Sequence, residues 1–152
     1  MFFDTNDLLT EEIFLKLTRT SPADPEKNWV PAYHFNICRA SDGCEVGKCD
    51  LRIGYNRNTY FGGNIGYAVH ENFRGNHYAG KACLLLFRLA RKHEMPYIYI
   101  TCAPDNFASR KTCEYAGGVL ESIADLPEDS DIYILEGRAK ECIYRFNLQS
   151  VF

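Results

Sequence analysis

Long apolar runs are missing from this sequence. The most extended, Ala82 to Phe87, falls far short of the ~20 residues a membrane-spanning helix needs. A basic surplus is missing too: 17 Lys and Arg stand against 20 Asp and Glu, for a formal net charge of −3. That balance argues against a nucleic-acid partner, which ordinarily calls for a basic face. Met1-Phe2-Phe3-Asp4 lacks the basic-then-apolar layout of a secretory signal. There are no repeats, no low-complexity tract and no long linker, so residues 1–152 are expected to form a single domain. Among seven cysteines there is no Cys-x-x-Cys, and the odd number forbids complete internal pairing. Cys38, Cys44 and Cys49, with His34 upstream, match no common zinc spacing, so no metal is expected. The thiols read as reduced, small hydrophobes of a cytoplasmic protein, and a redox or metal role for those three is the most distant alternative.

What is present is ordinary globular material. Apolar residues make up 46% and charged residues 24%, with ten Tyr, ten Phe and one Trp for a core. Alternation of Ile13, Leu15 and Leu17 suggests a strand over 11–18, although Leu8 to Leu17 also reads as a short helix capped by Thr10. Ser21 to Pro31 holds three prolines and reads as a loop. Ala32 to Arg39 and Glu45 to Tyr55 form a hairpin about the Ser41-Asp42-Gly43 turn. Asn56 to Gly63 reads as a polar turn, and Asn64 to His70 as a short strand. From Ala79 to His93 the apolar positions fall three or four apart, which predicts the principal helix, stopped by Met95-Pro96. Tyr97 to Cys102 is a strand. A second helix, capped by Asp105 or Asn106, ends at Gly117-Gly118. Strands over 119–123 and 141–148 flank an acidic loop from Asp125 to Asp131. Hairpins at the front and crossovers at the back predict an α+β fold: a mixed, mostly antiparallel central sheet with flanking helices.

The informative stretch is the strand, loop and helix from Asn64 to His93. After the strand come Arg74-Gly75-Asn76-His77-Tyr78-Ala79-Gly80, small residues that lead into the helix N-terminus. Unpaired backbone N–H groups there, at the positive end of the helix dipole, suit a pyrophosphate. The loop is neither a Walker loop, lacking Gly-Lys-Ser/Thr, nor a dinucleotide fingerprint, lacking Gly-x-Gly-x-x-Gly. The segment from Gly66 to Gly118 resembles the GNAT superfamily of acetyl-CoA-dependent N-acetyltransferases. Arg74 to Ala79 stands where that family has Gln/Arg-x-x-Gly-x-Gly/Ala. Asn106-Phe107-Ala108-Ser109 stands where it has Asn-x-x-Ser.

The resemblance implies a GNAT-like acyl-CoA N-acyltransferase fold and acetyl-CoA as co-substrate. It implies that backbone groups of Tyr67, Ala68 and Val69 pair with the pantetheine arm. The N–H groups from Gly75 through Asn76, His77, Tyr78 and Ala79 to Gly80, beside Arg74, hold the pyrophosphate. Asn106 bonds the pantetheine region, and Ser109 lies close to the cofactor. Three departures stand out. His77 takes a position usually glycine, where a Cβ is expected to require ordinary backbone angles. Cys113 takes the place of the Tyr that several members use to protonate the leaving thiolate, and Tyr115 lies too far round the helix to substitute. Thr101 takes the place of a Glu base.

The catalytic residues are therefore unassigned, with Glu71 and His34 as candidate bases and a backbone N–H near Val69 for the oxyanion. The acceptor is expected to be a primary amine of a small molecule or peptide. The short Ser21 to Pro31 loop leaves its pocket open, or completed by a second subunit as a homodimer. Glu128, Asp129 and Asp131 read either as a solvated loop or as a site that attracts a cationic amine. A non-catalytic acyl-CoA-binding sensor or interaction module is the alternative.

Overall fold

Alternation lays down the first sheet. In β1 (Ile13–Ser21) Ile13 and Leu15 are buried while Phe14 and Lys16 are not, the mark of a strand with one wet face. The Thr10 hydroxyl accepts the N–H groups of Glu12 and Ile13 at 3.1 Å each, so it shapes the turn before this strand rather than capping a helix. β2 (Ala32–Arg39) buries Tyr33, Phe35 and Ile37 and pairs antiparallel with both β1 and β3 (Glu45–Arg52). β3 stops at Arg52, short of the expected Tyr55. The computed structural model describes residues 2–148, the Asp131 side chain excepted; Met1 and residues 149–152 of the expected domain lie outside the described residues.

The expected turn over 56–63 is instead a short helix, α1 (Arg57–Gly62). Asn56 and Thr59 cap each other: the Asn56 side chain accepts the Thr59 N–H at 2.9 Å, and Thr59 Oγ1 accepts the Asn56 N–H at 2.8 Å. β4 (Ile65–Val69) follows and closes a four-stranded sheet in the order β1-β2-β3-β4.

α2 (Tyr78–Lys92) carries the core stripe predicted for it: Ala82, Cys83, Leu85, Leu86, Phe87, Leu89 and Ala90 are all buried. Each fully buried Leu or Phe contributes roughly 1.5–3 kcal/mol, so this one helix supplies much of the apolar stabilisation. It packs against β1, β3 and β4, and Phe87 lies 5.1 Å from Phe146 in ring centroids. The second sheet has the order β5-β7-β6, from β5 (Tyr97–Cys102), β6 (Val119–Asp125) and β7 (Lys140–Asn147). α3 (Phe107–Tyr115) joins β5 to β6, with Asn106 as its cap. The acidic loop holds one more helix, α4 (Asp131–Glu136), capped by the Ser130 hydroxyl.

The α+β architecture is as expected, with one refinement. The sheet is split in two, and every ladder in both halves is antiparallel. Asn64, fully buried, joins the halves. Its Nδ2 donates to the carbonyls of Arg52 (3.1 Å) and Gly54 (2.8 Å), taking over bonds its own N–H would otherwise make to β3. Its backbone N–H is thereby freed to donate to the Tyr99 carbonyl at 2.7 Å, and its Oδ1 accepts the Tyr99 N–H at 3.0 Å. β4 and β5 are pinned here and form no ladder beyond it.

Candidate active-site cleft

Beyond Asn64 the two strands enclose a cavity of about 420 Å³. Gly66 and Tyr67 line it from β4, Thr101 and Cys102 from β5, Asn106 and Ser109 from the cap and first turn of α3, Arg138 from the approach to β7 and Glu141 from β7 itself. β4 is an edge strand, so alternate backbone groups face the opening. The Arg52 N–H donates to the Asn64 carbonyl, and the His70 N–H donates to the Val46 carbonyl. Even-numbered residues of β4 therefore bond to β3, and Tyr67 and Val69 turn outward. This corrects the expectation for Ala68, whose backbone faces Lys48 across the ladder and is unavailable to a pantetheine arm. The Val69 carbonyl takes a bond from Arg74 Nε at 3.3 Å, which leaves its N–H as the open group.

After β4 the chain runs into the N-terminus of α2. A single 3₁₀ turn (Glu71–Phe73) leads into an exposed loop, with Gly75 at φ 92° and the Asn76 side chain bonded to the Phe73 carbonyl. The first intrahelical bond runs from the Lys81 N–H to the His77 carbonyl, and no side chain caps the helix. The N–H groups of Tyr78, Ala79 and Gly80 are thus left for an anion. His77 does not keep ordinary backbone angles, contrary to expectation: it sits at φ 59°, ψ 25°, the left-handed conformation a glycine would adopt. Its ring stacks on Tyr115 at 4.4 Å and 7°, which holds it there. Gly80 serves packing more than the phosphates. A Cβ on it would fall 2.4 Å from the Tyr115 ring, so its missing side chain lets α3 close against α2. Lys81 is paired with Glu12.

At the depth of the cleft the Tyr67 hydroxyl meets Ser109 Oγ at 2.6 Å and lies 4.0 Å from Cys113 Sγ. Burial pushes the Tyr67 pKa well up, so the phenol stays protonated. Burial also pushes the Cys113 thiol up to about 12, which leaves it inert as a nucleophile near neutral pH. Asn106 Oδ1 caps α3 by accepting the Ser109 N–H at 3.1 Å, and its amide lines the cavity.

Neither candidate base lies in the cleft. Glu71 is exposed in the 3₁₀ turn after β4. His34 lies on β2, two strands from β4, with its Nε2 3.2 Å from Ser21 Oγ; burial and the Arg19 charge lower its pKa. Two carboxylates line the cleft: Glu136 and the buried Glu141, which sequence reasoning placed only at the start of a strand. Glu141 is 1% exposed. Burial raises its pKa, and the Thr101 side chain and the Arg138 charge act against the rise. Arg138 Nη1 forms an ion pair with its Oε2 at 3.0 Å. The acidic loop is less free than expected: Asp129 is paired with Arg57 at 2.6 Å, and Asp125 with Lys140 at 2.8 Å. Among the described residues no group of His, Cys, Asp and Glu forms a metal-holding cluster.

A family model described as an acetyltransferase (GNAT) domain matches residues 6–119. The chain belongs to the GNAT acetyltransferase family. Its fold is shared with a GNAT-family acetyltransferase from Bacillus anthracis, at 17% identity and a TM-score of 0.61 over 77% of this chain and 67% of that one. The ribosomal-protein-S5-alanine acetyltransferase of Vibrio fischeri matches at 17% identity and 0.61, over 78% and 63%. The microcin C7 self-immunity acetyltransferase MccE, solved with acetyl-CoA and AMP, matches at 23% identity and 0.60, over 76% and 61%. The chain thus spans about two thirds of the length of these structures. No curated protein matches it by sequence.

Proposed function

We propose that this chain is a single-domain, cytoplasmic N-acetyltransferase that moves the acetyl group of acetyl-CoA directly to a primary amine of a small molecule or peptide. The observation that carries the reading is the uncapped N-terminus of α2, which follows an edge strand whose Tyr67 and Val69 backbone groups face away from β3. The pyrophosphate would rest on the N–H groups of Tyr78, Ala79 and Gly80. The pantetheine would add to β4 like an extra strand. The Val69 N–H would take the oxyanion. The Tyr67–Ser109 hydroxyl pair offers the leaving thiolate a proton, the role for which Cys113 is unfit.

Calorimetric titration with acetyl-CoA tests the cofactor site. Binding is expected, and a folded Gly75→Glu protein, with a carboxylate against the phosphates, is expected to bind at least roughly tenfold more weakly. Unchanged affinity would refute the pyrophosphate assignment. Thr101 and Cys113 at two familiar catalytic positions favour a second reading, a non-catalytic acyl-CoA-binding module. Sustained amine-dependent thiol release excludes that module. A homodimer that completes the acceptor side is open to test by sedimentation.

A further inference from the structure

β2 lies between β1 and β3, so its outward residues sit in rows that cross three strands. Tyr33, Phe35 and Ile37 are buried in the core beside α2, and alternation turns His34 and Asn36 the other way. The register fixes their neighbours. Lys16, Asn36 and Lys48 stand side by side in one row, and Arg19, His34 and Asp50 in the next. Ser21 and Arg52, on either side of Ala32, make a third. Lys16, Arg19 and Lys48 are exposed.

Cations outnumber anions on this face, in a chain whose net charge is −3. Arg52 is paired with Asp50 at 3.2 Å and donates to the Gly62 and Gly63 carbonyls, so those two charges offset each other. Among the described residues Lys16, Arg19 and Lys48 enter no ion pair. His34, at the centre, feels the surplus: burial lowers its pKa, and the Arg19 and Arg52 charges lower it further against Asp50. Beside Lys16 and Asn36 opens a hollow of about 650 Å³, with Leu9, Phe14 and Leu17 in its apolar wall. Leu9 and Leu17 are exposed. The one carboxylate lining the hollow, Glu45, is held by His70 at 2.8 Å.

We propose that this face docks an extended acidic segment of a partner protein, with one apolar side chain in the hollow and carboxylates on Lys16, Lys48 and Arg19. Neighbouring strands lie about 4.8 Å apart, so Lys48 stands ~10 Å from Lys16 across the sheet. Arg19 stands three residues, also ~10 Å, along it. An extended chain covers either step in about three residues. An exposed ion pair contributes little alone. The apolar anchor therefore supplies the hold, and the three cations supply steering and selectivity for acidic sequences. A nucleic acid fits this face less well. No exposed Phe, Tyr or Trp stands in the three rows or the hollow for a base to stack on, and the remainder of the molecule is acidic.

The docking does not rest on the acetyl-transfer reading, since none of its residues lines the cleft. A peptide with a blocked amino terminus and no lysine probes the face without offering the cleft an amine.

The test is fluorescence anisotropy on the full chain at about 20 mM salt, with a labelled, N-acetylated peptide of alternating Glu and Leu, about ten residues long. Binding is expected, weakening at least roughly tenfold at about 300 mM salt. An all-Glu peptide should bind more weakly for want of the anchor, and a peptide of alternating Lys and Leu more weakly still. The double variant Lys16→Glu, Lys48→Glu should lose at least roughly tenfold in affinity for the Glu-Leu peptide. Both side chains are exposed, so its melting temperature and its acetyl-CoA affinity should stay as in wild type. Leu17→Ser should narrow the gap between the Glu-Leu and all-Glu peptides. Equal binding of the Glu-Leu and Lys-Leu peptides to wild type would overturn the proposal, and that result needs no variant to fold. So would undiminished affinity in the double variant. Tighter binding of a single-stranded RNA or of phosphatidylserine vesicles than of the Glu-Leu peptide, lost in the double variant, would overturn it in favour of a different partner.

Discussion

Glu141 ties stability to pH. Its folded pKa lies above the ordinary value of 4.5, so over the window just above 4.5 the folded chain holds a proton that the unfolded chain has released. Where the folded state binds more protons, stability falls as pH rises, and the loss is complete above the folded pKa. Glu141→Gln carries no charge to desolvate. Its melting temperature relative to wild type is expected to be higher at about pH 7.5 than at about pH 4.5, and a difference independent of pH would contradict the burial argument. Cys113 makes the opposite case, a small residue that cannot be enlarged. It is fully buried, with the Tyr67 hydroxyl 4.0 Å from its sulfur. Cys113→Tyr restores the family's side chain in sequence but not in space. It is expected to cost about 1–3 kcal/mol or more in urea unfolding through overpacking, without a gain in turnover.

At the scale of elements, the joint between α2 and α3 sets the geometry of the anion site. Ala is the better helix former than Gly by about 1 kcal/mol, but a methyl at Gly80 would drive Tyr115 off His77. Gly80→Ala is expected to destabilise wild type and to stabilise a Tyr115→Ala protein, with a double-mutant coupling of about 1 kcal/mol measured by denaturant unfolding. No coupling would mean that the two helices do not constrain each other. The long elements and both motifs were legible in the sequence because their signals are local. The stripe of α2, the loop ahead of it and the Asn106 cap each lie within a few turns of chain. The six-residue helices α1 and α4 were not, since too few residues show a period. Their caps were visible all the same, in Asn56 with Thr59 and in Ser130 with Gly137. His77 was misjudged because its left-handed backbone depends on a ring 38 positions away. Glu141 was illegible for a similar reason: it reaches the cleft only through the pairing of Cys142 with Cys102, a register set by the whole second sheet.

At the scale of the molecule, Asn64 bridges the two sheets. Asn64→Ala would leave the Arg52 and Gly54 carbonyls and the Tyr99 N–H without their partners. At about 1–3 kcal/mol for each orphaned buried group, a loss of at least roughly 3 kcal/mol is expected in urea unfolding, with weaker acetyl-CoA binding alongside. A loss below about 1 kcal/mol would mean that packing on α2 holds the halves together unaided. The same residue marks where β4 and β5 are pinned together. From Val69 to Ile65 beside Asn64 is ~13 Å, at about 3.3 Å per residue. An arm anchored at the start of α2 and laid along that strand delivers its tip at one fixed depth. Under the proposed reading the strand would act as a ruler, setting how far the arm reaches before any group meets the acetyl itself.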